Sequence, residues 1–61
     1  MATREEVFQR AVTALREGNR LVAAGVPESH PGYAATEDSL RAAQAAGFED
    51  YEIVAAACDL P

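Results

Sequence analysis

The sequence lacks the residues that usually reinforce a very small protein. Among its 61 residues it has one cysteine, Cys58, one histidine, His30, and no lysine or tryptophan. A single cysteine excludes an intramolecular disulfide, and a single histidine without ligand spacing gives no basis for a metal or cofactor site. We therefore expect Cys58 to be a small buried side chain, as free cysteines commonly are, and His30 to be a solvated loop residue.

Positive charge is also scarce. Ten acidic side chains oppose five arginines, which leaves a formal net charge of −5. This balance disfavours binding to nucleic acids or anionic membranes, because both need clustered positive charge, but it permits a basic protein partner. No apolar run approaches the roughly 18 residues of a transmembrane helix, and the N-terminus has no apolar signal core, so we expect a cytoplasmic location.

Large apolar side chains are few, although the hydrophobic fraction is 49%. Fourteen of the hydrophobic residues are alanines, which favour helices but bury little surface each. A chain of this length buries only about 60% of the surface that it exposes when unfolded, so a disulfide, a metal or a partner is usually needed. Because the first two have no support here, we expect self-association or docking on a larger protein.

The first helix is predicted at about residues 4–24. Thr3 and Glu6 have the spacing of a capping box, and apolar pairs then recur every three to four residues. Gly18 interrupts the pattern, so the helix could instead end near Glu17. The apolar stripe stays in phase across Gly18, which favours one helix. Gly25 suits the left-handed position that follows a helix end.

A proline-rich connector is predicted at residues 26–36. Pro31-Gly32 is typical of the centre of a type II turn. Thr36 is a suitable N-cap, with acidic residues directly after it, so a second helix is predicted at about residues 37–46.

A third helix is predicted at about residues 50–59. Gly47 followed by Phe48 indicates another glycine-terminated helix end, and Asp50 or Glu49 can cap the helix that follows. The inner face of this helix is expected to consist of Ile53, Val54, Ala57 and Cys58.

Together these elements predict an all-α fold in a single domain, residues 1–61. It comprises one long N-terminal helix plus a short two-helix hairpin, a three-helix mini-domain. No segment has the alternating β-branched pattern of a strand. The hairpin is expected to place Phe48, Leu40 and Val54 against Phe8, Val12 and Leu15.

The segment Ala46-Gly47-Phe48 resembles the glycine-aromatic loop that separates the first two helices of ubiquitin-associated (UBA-like) domains. The resemblance covers about residues 38–58, and it implies that the loop contributes to a binding surface. The sequence departs from the family at Ala46, where a larger apolar residue is usual. It also has no further helix after the matched residues 38–58, where the family has its third. An ordinary glycine helix end predicts the same residues, so no family is assigned on this ground.

These features predict an interaction module and no enzyme. No catalytic spacing joins the single histidine to a serine or to the cysteine, and so short a chain has little room for a concave active site. The long first helix has more apolar surface than the hairpin can cover, which predicts a homo-oligomer or a protein partner. The expected interface residues are Val7, Ala11, Ala14, Leu21, Val22, Val26 and Tyr33.

Two other classes of function remain as alternatives. The alanine- and arginine-rich composition is typical of GC-rich bacterial genomes and their phages, which suggests a small phage or mobile-element regulator, including an acidic mimic of nucleic acid. A helix-turn-helix DNA-binding protein is disfavoured, because Arg41 is the only cation of the hairpin among six acidic residues.

Overall fold

Three helices make up the fold. The structure, a computed structural model, describes residues 3–58, and within that range it contains α1 (Arg4–Ala23), α2 (Pro31–Ala45), α3 (Asp50–Cys58) and no strand. The predicted all-α class, with a long N-terminal helix followed by two shorter ones, is confirmed. The predicted end of the third helix at Asp59 lies outside the described residues.

The first helix is continuous, as predicted. The Thr3 hydroxyl oxygen accepts a hydrogen bond from the Glu6 amide at 3.1 Å, which is one half of the predicted capping box. The helix passes through Gly18 without interruption, and this glycine is buried. The interruption in the sequence pattern therefore marks a packing contact and not a helix end.

The first two helices end in the same way. Gly25 and Gly47 both have positive φ, 75° and 100°, a conformation that glycine adopts without steric cost. The amide that follows each glycine bonds to the carbonyl five residues earlier, which defines a Schellman motif. These bonds join Val26 to Leu21 and Phe48 to Ala43, each at 3.0 Å.

The predicted start of the second helix was wrong. Pro31 is the first helical residue, and His30 is the N-cap, whose Nδ1 accepts a hydrogen bond from the Gly32 amide at 3.0 Å. Proline is well suited to a first helical position because its fixed φ is already helical and its missing N–H would have no partner there. The connector therefore ends at residue 30, and the predicted loop at 31–36 is helix.

Thr36 is not an N-cap but a helix–helix contact. Its Oγ1 lies 3.0 Å from the Ala14 carbonyl oxygen of α1 and 3.0 Å from the Gly32 carbonyl oxygen of α2. The single hydroxyl proton can be donated to either. A Cβ atom at Gly18 would lie 3.0 Å from this oxygen, so α1 and α2 approach each other here as closely as a glycine permits.

We expect Gly18→Ala to destabilise the protein by about 1 kcal/mol, although alanine is the better helix former by about the same amount. The added methyl group would displace Thr36 from its hydrogen bonds. In a Thr36→Ala background the obstruction is absent, and the same substitution is expected to stabilise by about 1 kcal/mol. Urea denaturation of the four variants measures this coupling. If Gly18→Ala stabilised the chain equally with Thr36 present and in the Thr36→Ala background, Gly18 and Thr36 would not be in contact.

Both shorter helices pack on α1 and touch each other little. Leu21 near the end of α1 lies beside Gly32 at the start of α2, and Arg4 at the start of α1 reaches Ala46 at the end of α2, so these helices are antiparallel. Phe48, two residues before α3, contacts Phe8 in the first half of α1, and Ala57 near the end of α3 accepts a hydrogen bond from Arg16 further along α1. Helix α3 therefore runs parallel to α1, and the chain passes up, down and up.

The core between the helices is small and consists mainly of alanine. Its largest fully buried side chain is Ile53. The predicted inner face of α3 was half wrong, because Val54 is 48% exposed and Cys58 is exposed. Apolar residues lie on all sides of this short helix, so the sequence leaves its rotation ambiguous. The buried hydrophobic residues are Ala11, Val12, Ala43, Ile53 and Ala57.

Two arginines of α1 tie the ends of the other helices to it. The Arg4 Nε donates a hydrogen bond to the Ala46 carbonyl oxygen at 2.9 Å, and its guanidinium lies 4.8 Å from the centre of the Phe48 ring. Arg16 donates to the Ala56 and Ala57 carbonyl oxygens at 3.2 and 3.3 Å. Because the last carbonyls of a helix lack internal partners, these cations stabilise the C-terminal ends of α2 and α3.

The predicted contact between aromatic side chains is confirmed. The centres of the Phe8 and Phe48 rings are 4.7 Å apart, and the ring planes are inclined by 43°. Leu40 and Leu15 also pack around the buried core, as expected.

Candidate protein-binding groove

A groove lies where the end of α1, the connector and the start of α2 meet. We call it the Val22 groove, and its volume is about 570 Å³. Three of its lining residues are among those predicted for an interface, and two are carboxylates. The lining consists of Val22, Val26, Glu28, Tyr33 and Glu37.

The apolar part of the groove is held in place by the local backbone. The Schellman motif after α1 fixes Val26, and the Tyr33 hydroxyl donates a hydrogen bond to the Val26 carbonyl oxygen at 2.7 Å. Val22 projects from the last turns of α1 and is 66% exposed. Hydrogen bonds thus fix the backbone of the groove, while the Val22 side chain stays exposed to solvent.

Leu21, another residue predicted for the interface, is not part of the groove lining and lies against the first turn of α2. It is partly buried, and a Cβ atom on Gly32 would lie only 2.6 Å from its Cδ1. The absence of a side chain at Gly32 therefore lets Leu21 pack on the first turn of α2. His30 is an exposed residue of the connector, as predicted, and its side chain also caps that turn.

The two carboxylates give the groove its charge. Glu28 and Glu37 are both exposed, and the ion pair found in residues 3–58 lies elsewhere, between Arg20 and Glu17 at 2.7 Å. Neither groove carboxylate accepts a side-chain hydrogen bond from the part of the chain that is described. The groove therefore combines an apolar surface with two exposed carboxylates that form no ion pair within residues 3–58.

The other predicted interface residues lie away from the groove. Ala11 has no exposed surface in the single chain, so assigning it to an interface was wrong. Val7 is partly buried against the core and also borders a separate depression with Arg10 and Asp38. The side chains of Ala11 and Val7 both belong to the apolar contact between α1 and the two shorter helices. Ala14 is partly buried and borders a separate shallow depression with Arg10 and Ser39.

A second exposed apolar surface lies on α3. Tyr51 is 73% exposed and follows the helical spacing of Val54 and the exposed Cys58. The expected burial of Cys58 was wrong, because Ile53 and Ala57 occupy the side of α3 that faces α1. Tyr51 borders a depression lined otherwise by Gln44, Phe48, Glu49 and Asp50, without Val54, so the exposed apolar residues of α3 are not gathered in one groove and this surface is the weaker candidate.

The sequence prediction missed Glu28 and Glu37 as groove residues. Glu37 was assigned to the first turn of a helix that actually begins six residues earlier. Once α2 starts at Pro31, Tyr33 and Glu37 are one turn apart and lie on the same side of the helix. That spacing is the signal that would have identified the pair.

Several other kinds of site lack support in the described part of the chain. No three histidine, cysteine or acidic side chains of residues 3–58 are grouped so that they could hold a metal ion. Within the same range, none of the helices has the length and apolar character needed to cross a bilayer. Comparison with known protein families, with curated proteins and with solved structures found no match.

Proposed function

We propose that this protein is a non-enzymatic helical interaction module, an accessory subunit, adaptor or inhibitor, which docks on a partner protein through the Val22 groove. The observation that carries the proposal is the exposure of Val22 beside Val26 and Tyr33 in a concave surface. Large apolar side chains gathered in a groove are typical of recognition surfaces, and tyrosine is enriched in them.

The size of the groove favours a segment of a protein as its occupant. A helix or an extended chain that lies in an apolar groove buries a few anchoring side chains, and the surrounding contacts add little energy. The groove offers two valines and a tyrosine for such anchors. The thin alanine core supports the same proposal, because a docked partner would add apolar burial that the isolated chain lacks.

The test is a selection of random peptides of about 12 residues against the full-length chain. We expect the enriched peptides to lose at least about tenfold in affinity, measured by fluorescence anisotropy, for the variant Val22→Gln. Glutamine removes the apolar anchor without adding charge near the helix end, and the circular dichroism spectrum is expected to stay unchanged. The matched control is Val54→Gln on the exposed face of α3, which should bind normally.

Two outcomes would contradict the proposal. Peptides that bind the Val22→Gln variant as tightly as the parent chain would place recognition elsewhere. A selection that enriches no peptide dependent on Val22 would remove the groove as a docking site. Sedimentation of the chain alone over a range of concentrations tests self-association, and a dimer that Val22→Gln dissociates would make a second copy the occupant.

A further inference from the structure

We infer that the partner segment carries arginine or lysine beside an apolar anchor, so that the Val22 groove reads a cationic, amphipathic stretch of another protein. This inference rests on the proposed function and specifies its ligand. It starts from the two groove carboxylates, Glu28 and Glu37, which line the same surface as Val22, Val26 and Tyr33 and have no ion-pair partner in residues 3–58.

A basic side chain matches both components of this surface. The methylene stem of arginine or lysine can lie along the valines while its charged end reaches a carboxylate. Arginine can in addition donate two parallel hydrogen bonds to one carboxylate, and its guanidinium can stack on the Tyr33 ring. Such a pair at the edge of an apolar contact is screened less than an ion pair in open solvent.

A second copy of this chain fits the groove less well. In the usual two-fold dimer the same patch meets itself, so the Glu28 and Glu37 side chains of both copies would be brought into one interface. Few cations are available to compensate. Three of the five arginines already act within the chain: Arg4 and Arg16 donate to helix ends, and Arg20 pairs with Glu17.

The net charge of the whole molecule also favours a cationic segment over a second copy of the chain. The net charge of −5 attracts a basic segment and repels another copy of the chain at low ionic strength. Phosphate groups of nucleic acids and of anionic lipids would be repelled by the groove carboxylates. A cationic protein segment is therefore the occupant that satisfies both the apolar surface and its charge.

The experiment uses the peptides enriched by selection against the full-length chain, each with an analogue in which citrulline replaces arginine. Citrulline keeps the shape of arginine and removes its charge. At about 50 mM NaCl we expect the citrulline analogue to bind the full-length chain about tenfold more weakly, and at about 500 mM the difference should fall below about threefold. Isothermal titration calorimetry measures both affinities.

The protein side is tested by the double variant Glu28→Gln/Glu37→Gln. It is expected to bind the arginine peptide and its citrulline analogue with equal affinity. The matched control, Glu5→Gln/Glu6→Gln, removes the same number of charges from the exposed first turn of α1 and should keep the difference. An equal loss in both double variants would reveal a net-charge effect and overturn the inference.

The outcomes separate this inference from the proposed function. Peptides that depend on Val22 but contain no enriched arginine or lysine would overturn the inference and leave the docking groove intact. Citrulline analogues that bind as tightly as their parents would do the same. A selection without any Val22-dependent peptide would overturn both.

Discussion

Replacing Ile53 with alanine is expected to lower the free energy of unfolding by about 2–5 kcal/mol, which is most of the stability of so small a domain. Ile53 is the largest fully buried side chain of the described core, and three of the other four buried hydrophobic residues are alanines. The cavity left behind cannot be filled by small neighbours that are already in contact. Urea denaturation followed by circular dichroism measures the loss.

The neighbouring residue provides the control. Val54→Ala removes aliphatic surface from the same helix, but Val54 is 48% exposed, so its cost is expected to stay below about 0.5 kcal/mol. If Ile53→Ala does not fold, Ile53→Val should still cost about 0.5–1.5 kcal/mol. Similar costs at positions 53 and 54 would show that α3 does not turn Ile53 toward α1 and Val54 toward solvent.

The second large effect is expected at Arg16. Arg16→Met keeps the length of the side chain but removes both hydrogen bonds to the Ala56 and Ala57 carbonyl oxygens. Hydrogen bonds from a charged donor contribute about 1.5–3 kcal/mol, and partial exposure places the expected loss near the lower value. Because the bonds end on α3, the amide hydrogens of α3 should exchange faster in the variant than in the parent chain, and those of α1 should change less. Hydrogen exchange measures the difference.

Two further variants separate the effect of the lost hydrogen bonds from that of the lost charge. Arg16→Lys keeps the positive charge but presents a single point of donation, so it is expected to recover less than half of the loss. Arg41→Met removes an exposed arginine of α2 that makes no hydrogen bond to the described residues, and it should leave α3 unchanged. Unaltered exchange in α3 of the Arg16→Met variant would contradict the role of this arginine.

Local sequence signals predicted the parts of the fold that local chemistry determines. The start of α1 follows from the Thr3 side chain, and the ends of α1 and α2 follow from Gly25 and Gly47, whose backbone conformation disfavours other residues. These signals act within a few residues and need no information about packing. At these three helix ends the predicted course of the chain was therefore correct.

The start of α2 was wrong because two local signals compete there. A proline followed by glycine fits the centre of a turn, and it equally fits the first two positions of a helix. The deciding features were the histidine N-cap and the contact of Thr36 with α1, and neither is a strong signal in one sequence. A threonine before two acidic residues pointed to a helix start that tertiary packing overrides.

The candidate groove could be predicted only in part. Val22 and Val26 were expected at an interface because the first helix is longer than its partners, and Tyr33 because amphipathic aromatic residues are favoured there. The structure brings these three together. Their grouping with Glu28 and Glu37 depends on the angle between α1 and α2, which a sequence pattern does not encode. The same is true of Ala11, whose burial reflects the close approach of the helices.

The parallel course of α1 and α3 has a consequence for the order of folding. Thr36 and Ala14, which join α1 to α2, are 22 positions apart, whereas Arg16 and Ala57, which join α1 to α3, are 41 apart. Shorter loops close at a lower entropic cost, so the α1–α2 pair is expected to form first and α3 to dock last. By the same argument, α3 is the first element to detach when the native state opens. The lifetime of the whole protein against proteases would then depend on the docking of one nine-residue helix.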